Sequence, residues 1–320
     1  MSYNAENYRR VRRMLEERRL SAVREADTRL AALHAACPPV AEIDRRLAAT
    51  GRKLFRVACL GGDDLAARVD ALKQENLALV DARNAELKKI GLPPDYTDVH
   101  YTCPQCMDTG FTDTKMCDCM RRALVEEGFR SSGIGALIDR QNFDNFSFEY
   151  YKEDKDALNL VRYAYDECRR YAEEFRPGAG NLLLMGGTGL GKTHLSTAVA
   201  RRVIERGFDV QYESAQNIFS AFEYDRFRSR GDDPSRSEKY MTCELLIMDD
   251  LGTEMQTPFT LSCLYNLLNT RLCRGNSTLI NTNLTEKEIF SRYEDRITSR
   301  LLGEFKLLLL RGQDIRKQRL

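Results

Sequence analysis

Asn181-Leu182-Leu183-Leu184-Met185-Gly186-Gly187-Thr188-Gly189-Leu190-Gly191-Lys192-Thr193-His194-Leu195 is the stretch on which the reading of this 320-residue chain turns. An apolar run enters a glycine-rich turn, and a helix-forming run leaves it, so the segment predicts buried strand, loop and helix start. Gly186 to Thr193 matches the phosphate-loop pattern G-x-x-x-x-G-K-[ST] in full. Glycines at 186, 187, 189 and 191 free the backbone to aim successive N–H groups at phosphate oxygens. The following helix adds the positive end of its dipole. Lys192 has the length and charge to reach the β- and γ-phosphates, and the Thr193 hydroxyl suits Mg²⁺. A glycine-rich turn without a ligand is the plain alternative, and an eight-residue match in strand–turn–helix context argues against it. The expected nucleotide-binding set is Gly186, Gly187, Thr188, Gly189, Leu190, Gly191, Lys192, Thr193 and His194.

Downstream the pattern alternates as a parallel α/β sheet requires. A helix over 192–206 precedes a strand at 209–212, and a helix starts at Ala215. A strand over Leu245–Met248 runs into Asp249-Asp250, a helix covers 258–274, and a strand at 277–280 ends in Asn281-Thr282-Asn283. An apolar strand closing on two acids is the expected second half of a triphosphate site. Asp249 is placed to hold Mg²⁺, and Asp250 to orient and deprotonate water. Acid pairs at strand ends also serve as helix caps, but here a complete phosphate loop lies upstream. Asn283, at the next strand tip, is a candidate partner of the γ-phosphate or that water, although Asn also favours turns.

Upstream, residues 5–36 and 41–90 are rich in Ala, Leu, Glu and Arg. Val11, Leu15 and Val23, then Leu65, Val69, Leu72, Leu79 and Leu87, recur at helical spacing. Cys37-Pro38-Pro39 and Leu60-Gly61-Gly62-Asp63 interrupt the run, predicting an antiparallel pair or triplet of amphipathic helices. Arg9, Arg10, Arg12, Arg13, Arg18 and Arg19 make the first helix basic, which fits either a solvated face or a docking surface for a partner. Next, Cys103-Pro-Gln-Cys106 and Cys117-Asp-Cys119 flank a glycine-containing turn. Two cysteine pairs at that spacing suit a closed structural Zn²⁺ site; four thiolates complete it without His100. From Arg121 to Leu137 a short helix and a Ser-Ser-Gly-Ile-Gly loop read as linker. Phe143, Phe146 and Phe148 then precede a helix at 154–175, as flanks of an adenine ring or as core.

A formal charge of +1 neither favours nor excludes nucleic acid, and an apolar content of 42% supports a sizeable core. No run approaches the roughly 18–20 apolar residues of a membrane span, and the N-terminus has no secretory apolar segment. Ten cysteines, four of them clustered, beside a nucleotide site point to a reduced, cytoplasmic setting. Residues 219–240 interleave basic and aromatic side chains, the composition of a single-stranded DNA surface. Phe219, Phe222, Arg226, Arg228, Arg230 and Lys239 are its candidates, against a plain surface helix with some rings buried.

Taken together, GGTGLGKTHL, LLIMDDLG, STLINTNLT, DRITSRLLG and GQDIR resemble, in that order, the AAA+ ATPases of the DnaC/DnaI helicase-loader family. The cysteine segment and helical N-terminus are similar to those of its firmicute-type members. The resemblance implies an α/β, AAA+ P-loop core, a parallel sheet flanked by helices, behind a helical region and a zinc module. It divides the chain into a helicase-interaction region (1–95), a zinc module (96–125), a linker (126–150) and the ATPase domain (151–320). It further implies ATP, Mg²⁺ and Zn²⁺ as cofactors, and a hexameric replicative DNA helicase, single-stranded DNA and further copies of the chain as partners. Lys192, Asp250 and Asn283, as first sensor, would form the catalytic set with Arg300, or less favourably Arg296, as a finger reaching a neighbour's γ-phosphate. Arg316 would be a second sensor on a reduced element, four residues from the last residue given. Asp250 stands where many AAA+ enzymes carry Glu. The implied function is ATP-dependent loading of the helicase onto single-stranded DNA. Two rivals are an IstB-like transposition ATPase and a nucleotide-switched adaptor with little hydrolysis.

Overall fold

The computed structural model describes residues 3–60, 65–227 and 235–318, and it separates into two compact units. One comprises Arg12–Met120; the other comprises Met1–Val11 with Arg121–Leu320. No helix among the described residues is long and apolar enough to cross a membrane.

Helices α1 (Ala5–Ala36), α2 (Pro38–Leu60) and α3 (Leu65–Lys89) open the chain; the first break falls at the Cys37-Pro38-Pro39 signal, and Gly61-Gly62-Asp63 lies outside the described residues. Within the first unit, Leu33, Cys37, Val40 and Leu87 form a small core closed by Leu92 and Tyr96. Polar ties reinforce it: Arg83 pairs with Asp44 at 2.8 Å, and His34 reaches the same carboxylate at 2.7 Å. Val11, Leu15, Leu79 and Leu87 are buried, as their helical spacing requires, whereas Val69 and Leu72 are half-buried. A hairpin of β1 (Phe111–Thr112) and β2 (Lys115–Met116) follows, then α4 (Asp118–Ser131).

The other unit continues with α5 (Leu137–Arg140), α6 (Lys155–Glu174), β3 (Asn181–Met185), α7 (Lys192–Glu205), β4 (Val210–Ser214) and α8 (Ala215–Phe227). Then come α9 (Glu238–Thr242), β5 (Leu245–Leu251), α10 (Pro258–Arg274), β6 (Ser277–Thr282), α11 (Glu286–Arg292), α12 (Asp295–Gly303), β7 (Phe305–Leu309) and α13 (Ile315–Gln318). The strands form one five-stranded sheet in the order β4-β5-β6-β3-β7, parallel throughout. Its strands are apolar on both faces because both are covered. Leu182, Leu184, Leu245, Ile247 and Leu279 face α6 and α7 residues such as Val161, Leu195 and Val199. Their alternates Leu183, Met185, Leu246, Met248 and Ile280 face Ile218, Leu264, Leu268, Ile297 and Leu301. That alternation is the two-residue period of the pleat.

The stretch 126–150, expected as linker, contributes Ile134, Ile138 and Phe146 to the first of these cores. It also lies along the sheet edge: the Tyr212 amide of β4 donates to the Ser132 carbonyl at 2.7 Å. Of the three phenylalanines left between adenine and core, Phe146 is core, and Phe143 and Phe148 pack against it half-buried.

Candidate functional site

The phosphate loop joins the end of β3 to the first turn of α7, so its backbone is held at both ends. At Gly186 φ is +153°, and a side chain there would collide with the Leu310 carbonyl. Gly191 caps α7 with φ +82°, a left-handed conformation that glycine adopts without strain. Three of the expected site residues converge on Lys192. Its Nζ donates to the Gly186 and Gly187 carbonyls and to Asn283 Oδ1, each at 2.7 Å. Lys192 is only 6% exposed, because those three oxygens draw the ammonium inward. Burial lowers its pKa, and the charges of Asp250 and Asp249 oppose that shift.

The acids stand at a break in the β5–β6 ladder, where the register shifts between Met248 and Leu251. This irregularity turns Asp250 outward with φ +56°, while Asp249 stays half-buried. Thr193 Oγ1 donates to Asp249 Oδ2 at 3.3 Å, so the loop hydroxyl and the acid meet. Burial raises the Asp250 pKa and Asp249 adds to it; the Lys192 and Arg316 charges oppose the shift. Arg316 therefore lies within electrostatic reach of both Lys192 and Asp250. Its short helix is pinned to the loop by the Ile315 amide, which donates to the Gly189 carbonyl at 3.1 Å. His194 turns away from the loop: its Nε2 donates to the Asn142 carbonyl at 2.8 Å and its ring meets Phe146 edge-on.

Beside the loop opens a cavity of ≈ 510 Å³ walled by Tyr150, Tyr151, Gly187, Leu190, Leu310 and Gly312. Its size and mixed lining fit a nucleoside. Tyr151 is anchored by its hydroxyl, which donates to the Leu190 carbonyl at 2.9 Å. These tyrosines carried no motif, and their only signal in the sequence was their place between the aromatic cluster and α6.

Arg300 lies elsewhere, on α12. Its guanidinium donates to Asn269 Oδ1 at 2.7 Å and Tyr265 Oη at 3.2 Å and lies over the Tyr265 ring. Arg296 shares that ring and pairs with Glu294 at 2.7 Å. Of the DNA candidates, Phe219 is corrected to core: it is 3% exposed because its helix turns it onto Met248 and Leu264. Phe222 is half-buried on the same cluster. Arg226 lies over the Phe227 and Phe259 rings, and Lys239 over Tyr240. Arg228 and Arg230 fall outside the described residues.

In the other unit, the Sγ atoms of Cys103, Cys106, Cys117 and Cys119 all lie within 4.8 Å of one another. Cys103 and Cys117 are 3.8 Å apart, and Cys106 and Cys119 are 3.4 Å apart. A tetrahedron with Zn–S bonds of ~2.3 Å has edges of about 3.8 Å, so the four thiols fit the metal. His100 stays exposed outside this set. Asp108, buried and unforeseen from the sequence, shapes the first pair by accepting the Thr102 and Cys103 amides, each at 2.9 Å. Burial and the neighbouring thiols raise the Cys119 pKa well above the ordinary thiol range, a cost that a bound cation reverses.

A five-stranded parallel sheet with a phosphate loop, a paired acid strand and a nucleoside-sized cavity defines a P-loop ATP-binding protein. Residues 139–319 match the family model described as IstB-like ATP binding protein. That match spans more than half of the chain, and the chain belongs to this family. Among curated relatives, the replicative helicase loader DnaC of Escherichia coli K12 is 26% identical over 182 residues, 57% of this chain and 71% of that protein. An uncharacterized protein of the same strain, YdaV, is 26% identical over 185 residues, 57% and 69% of the two chains. Of solved structures, the DnaC helicase loader matches over 55% of this chain and 100% of its own, with 20% identity and a TM-score of 0.47.

Proposed function

We propose that this chain is an ATPase that loads a hexameric replicative DNA helicase onto single-stranded DNA. The observation that carries the reading is the convergence of Lys192, Thr193, Asp249 and Asn283 on one phosphate loop, in a chain similar to a helicase loader. Lys192 and the loop amides bind the β- and γ-phosphates, and Thr193 with Asp249 holds Mg²⁺. The metal supplies charge neutralisation at the phosphates when bound. Asp250, whose pKa burial and the neighbouring Asp249 raise, orients the attacking water and accepts its proton. Asn283 and Arg316 report on the γ-phosphate, and Arg300 reaches the neighbouring copy's nucleotide in a homo-oligomer. Residues 1–95 take the helicase, the module at 96–125 is held by zinc, and residues 151–320 form the ATPase, carried by the 126–150 segment. Arg226 and Lys239 remain candidates for the DNA contact.

The deciding experiment incubates full-length protein with the host replicative helicase, with ATP or ADP, and measures capture, alongside steady-state ATPase with and without single-stranded DNA. Nucleotide-dependent capture and DNA-responsive hydrolysis are expected. Capture of a transposase but not the helicase would transfer the protein to the transposition class. Capture without hydrolysis would make it a switch.

A further inference from the structure

The acid that the site reading assigns to the metal is gripped from both sides by groups to which the sequence reading assigns no role. Tyr212 Oη, from β4, donates to Asp249 Oδ2 at 2.6 Å. Asn281 Nδ2, from β6, donates to Asp249 Oδ1 at 2.8 Å. The same Nδ2 donates to Ser196 Oγ of α7 at 2.8 Å, and that hydroxyl lies 3.4 Å from the Tyr212 phenol. Tyr212, Asp249, Asn281 and Ser196 thus close a ring across three adjacent strands and the loop helix. Tyr212 is 7% exposed, and Asn281 and Ser196 are fully buried.

Two details separate this ring from ordinary core. A phenylalanine would fill the space of the Tyr212 ring, and burying a hydroxyl is unfavourable unless it is bonded. Here the hydroxyl's shortest bond is to the acid. The amide of Asn281 leaves its own Oδ1 buried without a hydrogen-bond partner, so its orientation is fixed by what Nδ2 serves. The strand that carries Tyr212 is itself pinned: its Tyr212 amide donates to Ser132, and a Cβ on Gly133 would lie 2.5 Å from the Tyr212 carbonyl.

We infer that Tyr212 is a positioning residue for the metal site: its phenol fixes the Asp249 carboxylate with Oδ2 toward Thr193 and so sets the Mg²⁺ affinity of the nucleotide site. This rests on the assignment of Asp249 to the metal. Partners of this kind, one step behind a metal ligand, typically contribute about 10–100-fold in metal affinity.

The test uses the full chain and a fluorescent ATP analogue, titrated with Mg²⁺ and, separately, bound in EDTA. Tyr212→Phe is expected to raise the half-saturating Mg²⁺ by about 10–100-fold while affinity in EDTA and the melting midpoint stay at wild-type values. Asp249→Asn is the reference and should remove most of the Mg²⁺ response. An unchanged Mg²⁺ titration in Tyr212→Phe, with the response lost in Asp249→Asn, overturns the inference and leaves the site reading standing. A wild-type Mg²⁺ response in Asp249→Asn overturns both. A parallel fall of EDTA affinity and melting midpoint in Tyr212→Phe assigns the tyrosine to structure alone and also overturns it.

Discussion

Replacing Gly186 with alanine should damage the nucleotide-free protein, and replacing its neighbour Gly187 should not. Both are glycines of the phosphate loop, and only the structure distinguishes them. Gly186 is wedged between two strand ends: its amide donates to Thr282 at 3.3 Å, and the Leu310 amide donates to Met185 beside it at 2.8 Å. A Cβ at Gly186 would lie 2.3 Å from the Leu310 carbonyl oxygen and 3.1 Å from its carbon. Relief requires a shift of roughly 1 Å in backbone fixed by parallel pairing, an overpacking cost of about 1–3 kcal/mol. A side chain at φ +153° adds about 1–3 kcal/mol of backbone strain. The sum, about 2–6 kcal/mol, is a large part of a typical domain stability of about 5–15 kcal/mol. At Gly187 the nearest atom to a Cβ is Leu190 Cδ1 at 3.8 Å, an ordinary contact. With φ outside the left-handed region, alanine there should be neutral or stabilising by up to about 1 kcal/mol through the unfolded chain. Urea unfolding of the three nucleotide-free proteins, followed by far-ultraviolet circular dichroism, measures both effects. Equal destabilisation by the two substitutions, or a Gly186→Ala protein as stable as wild type, would refute the steric argument.

Lys192→Ala removes a charged donor from the phosphates, so affinity for a fluorescent ATP analogue should fall by about 10–100-fold, the worth of a charge-assisted hydrogen bond; unchanged affinity would remove Lys192 from the site. Elemental analysis of protein purified under reducing conditions should find about one zinc per chain, and Cys119→Ser should lower it; a Cys103–Cys117 disulfide with no metal would end the zinc assignment. Arg300→Ala and Asp250→Asn chains, each inactive alone, should regain part of the ATPase activity when mixed, because an intact Arg300 then faces an intact Asp250. No recovery despite demonstrated co-assembly would count against an intersubunit finger.

What could be read from the sequence follows from how local each signal is. The phosphate loop, the acid strand and the four cysteines are contiguous patterns whose chemistry is complete within a few residues. Strands β3 and β5 announced themselves as unbroken apolar runs because the sheet is covered on both faces. Strand β7 was missed: Phe305-Lys306-Leu307-Leu308-Leu309 carries a charge and lies on the sheet edge, so only its pairing with β3 identifies it. The 126–150 segment reads as linker on its Ser-Ser-Gly-Ile-Gly turn, and the same segment places Ile134, Ile138 and Phe146 in the core. Lys192 could not be placed from sequence either. Its burial depends on Asn283, 91 residues away along the chain. The same holds for Phe219: interleaved rings and arginines signal a nucleic-acid surface or an amphipathic core helix equally, and tertiary packing decided it.

The N-terminus of α1 links these observations. Residues 1–11 belong to the unit that carries the phosphate loop. The first turns of α1 are tied into the edge of the sheet. Asn4 Nδ2 donates to Asp209 Oδ2 at 3.0 Å, Asn7 Nδ2 donates to Ser131 Oγ at 2.7 Å, and Arg10 pairs with Glu127 at 3.1 Å. Asp209 leads directly into β4, and Ser131 adjoins the Ser132 carbonyl that holds the Tyr212 amide. Asn7 is 6% exposed, so its hydrogen bond is shielded from competing water. These bonds brace the segment that enters β4, the strand whose Tyr212 donates to Asp249.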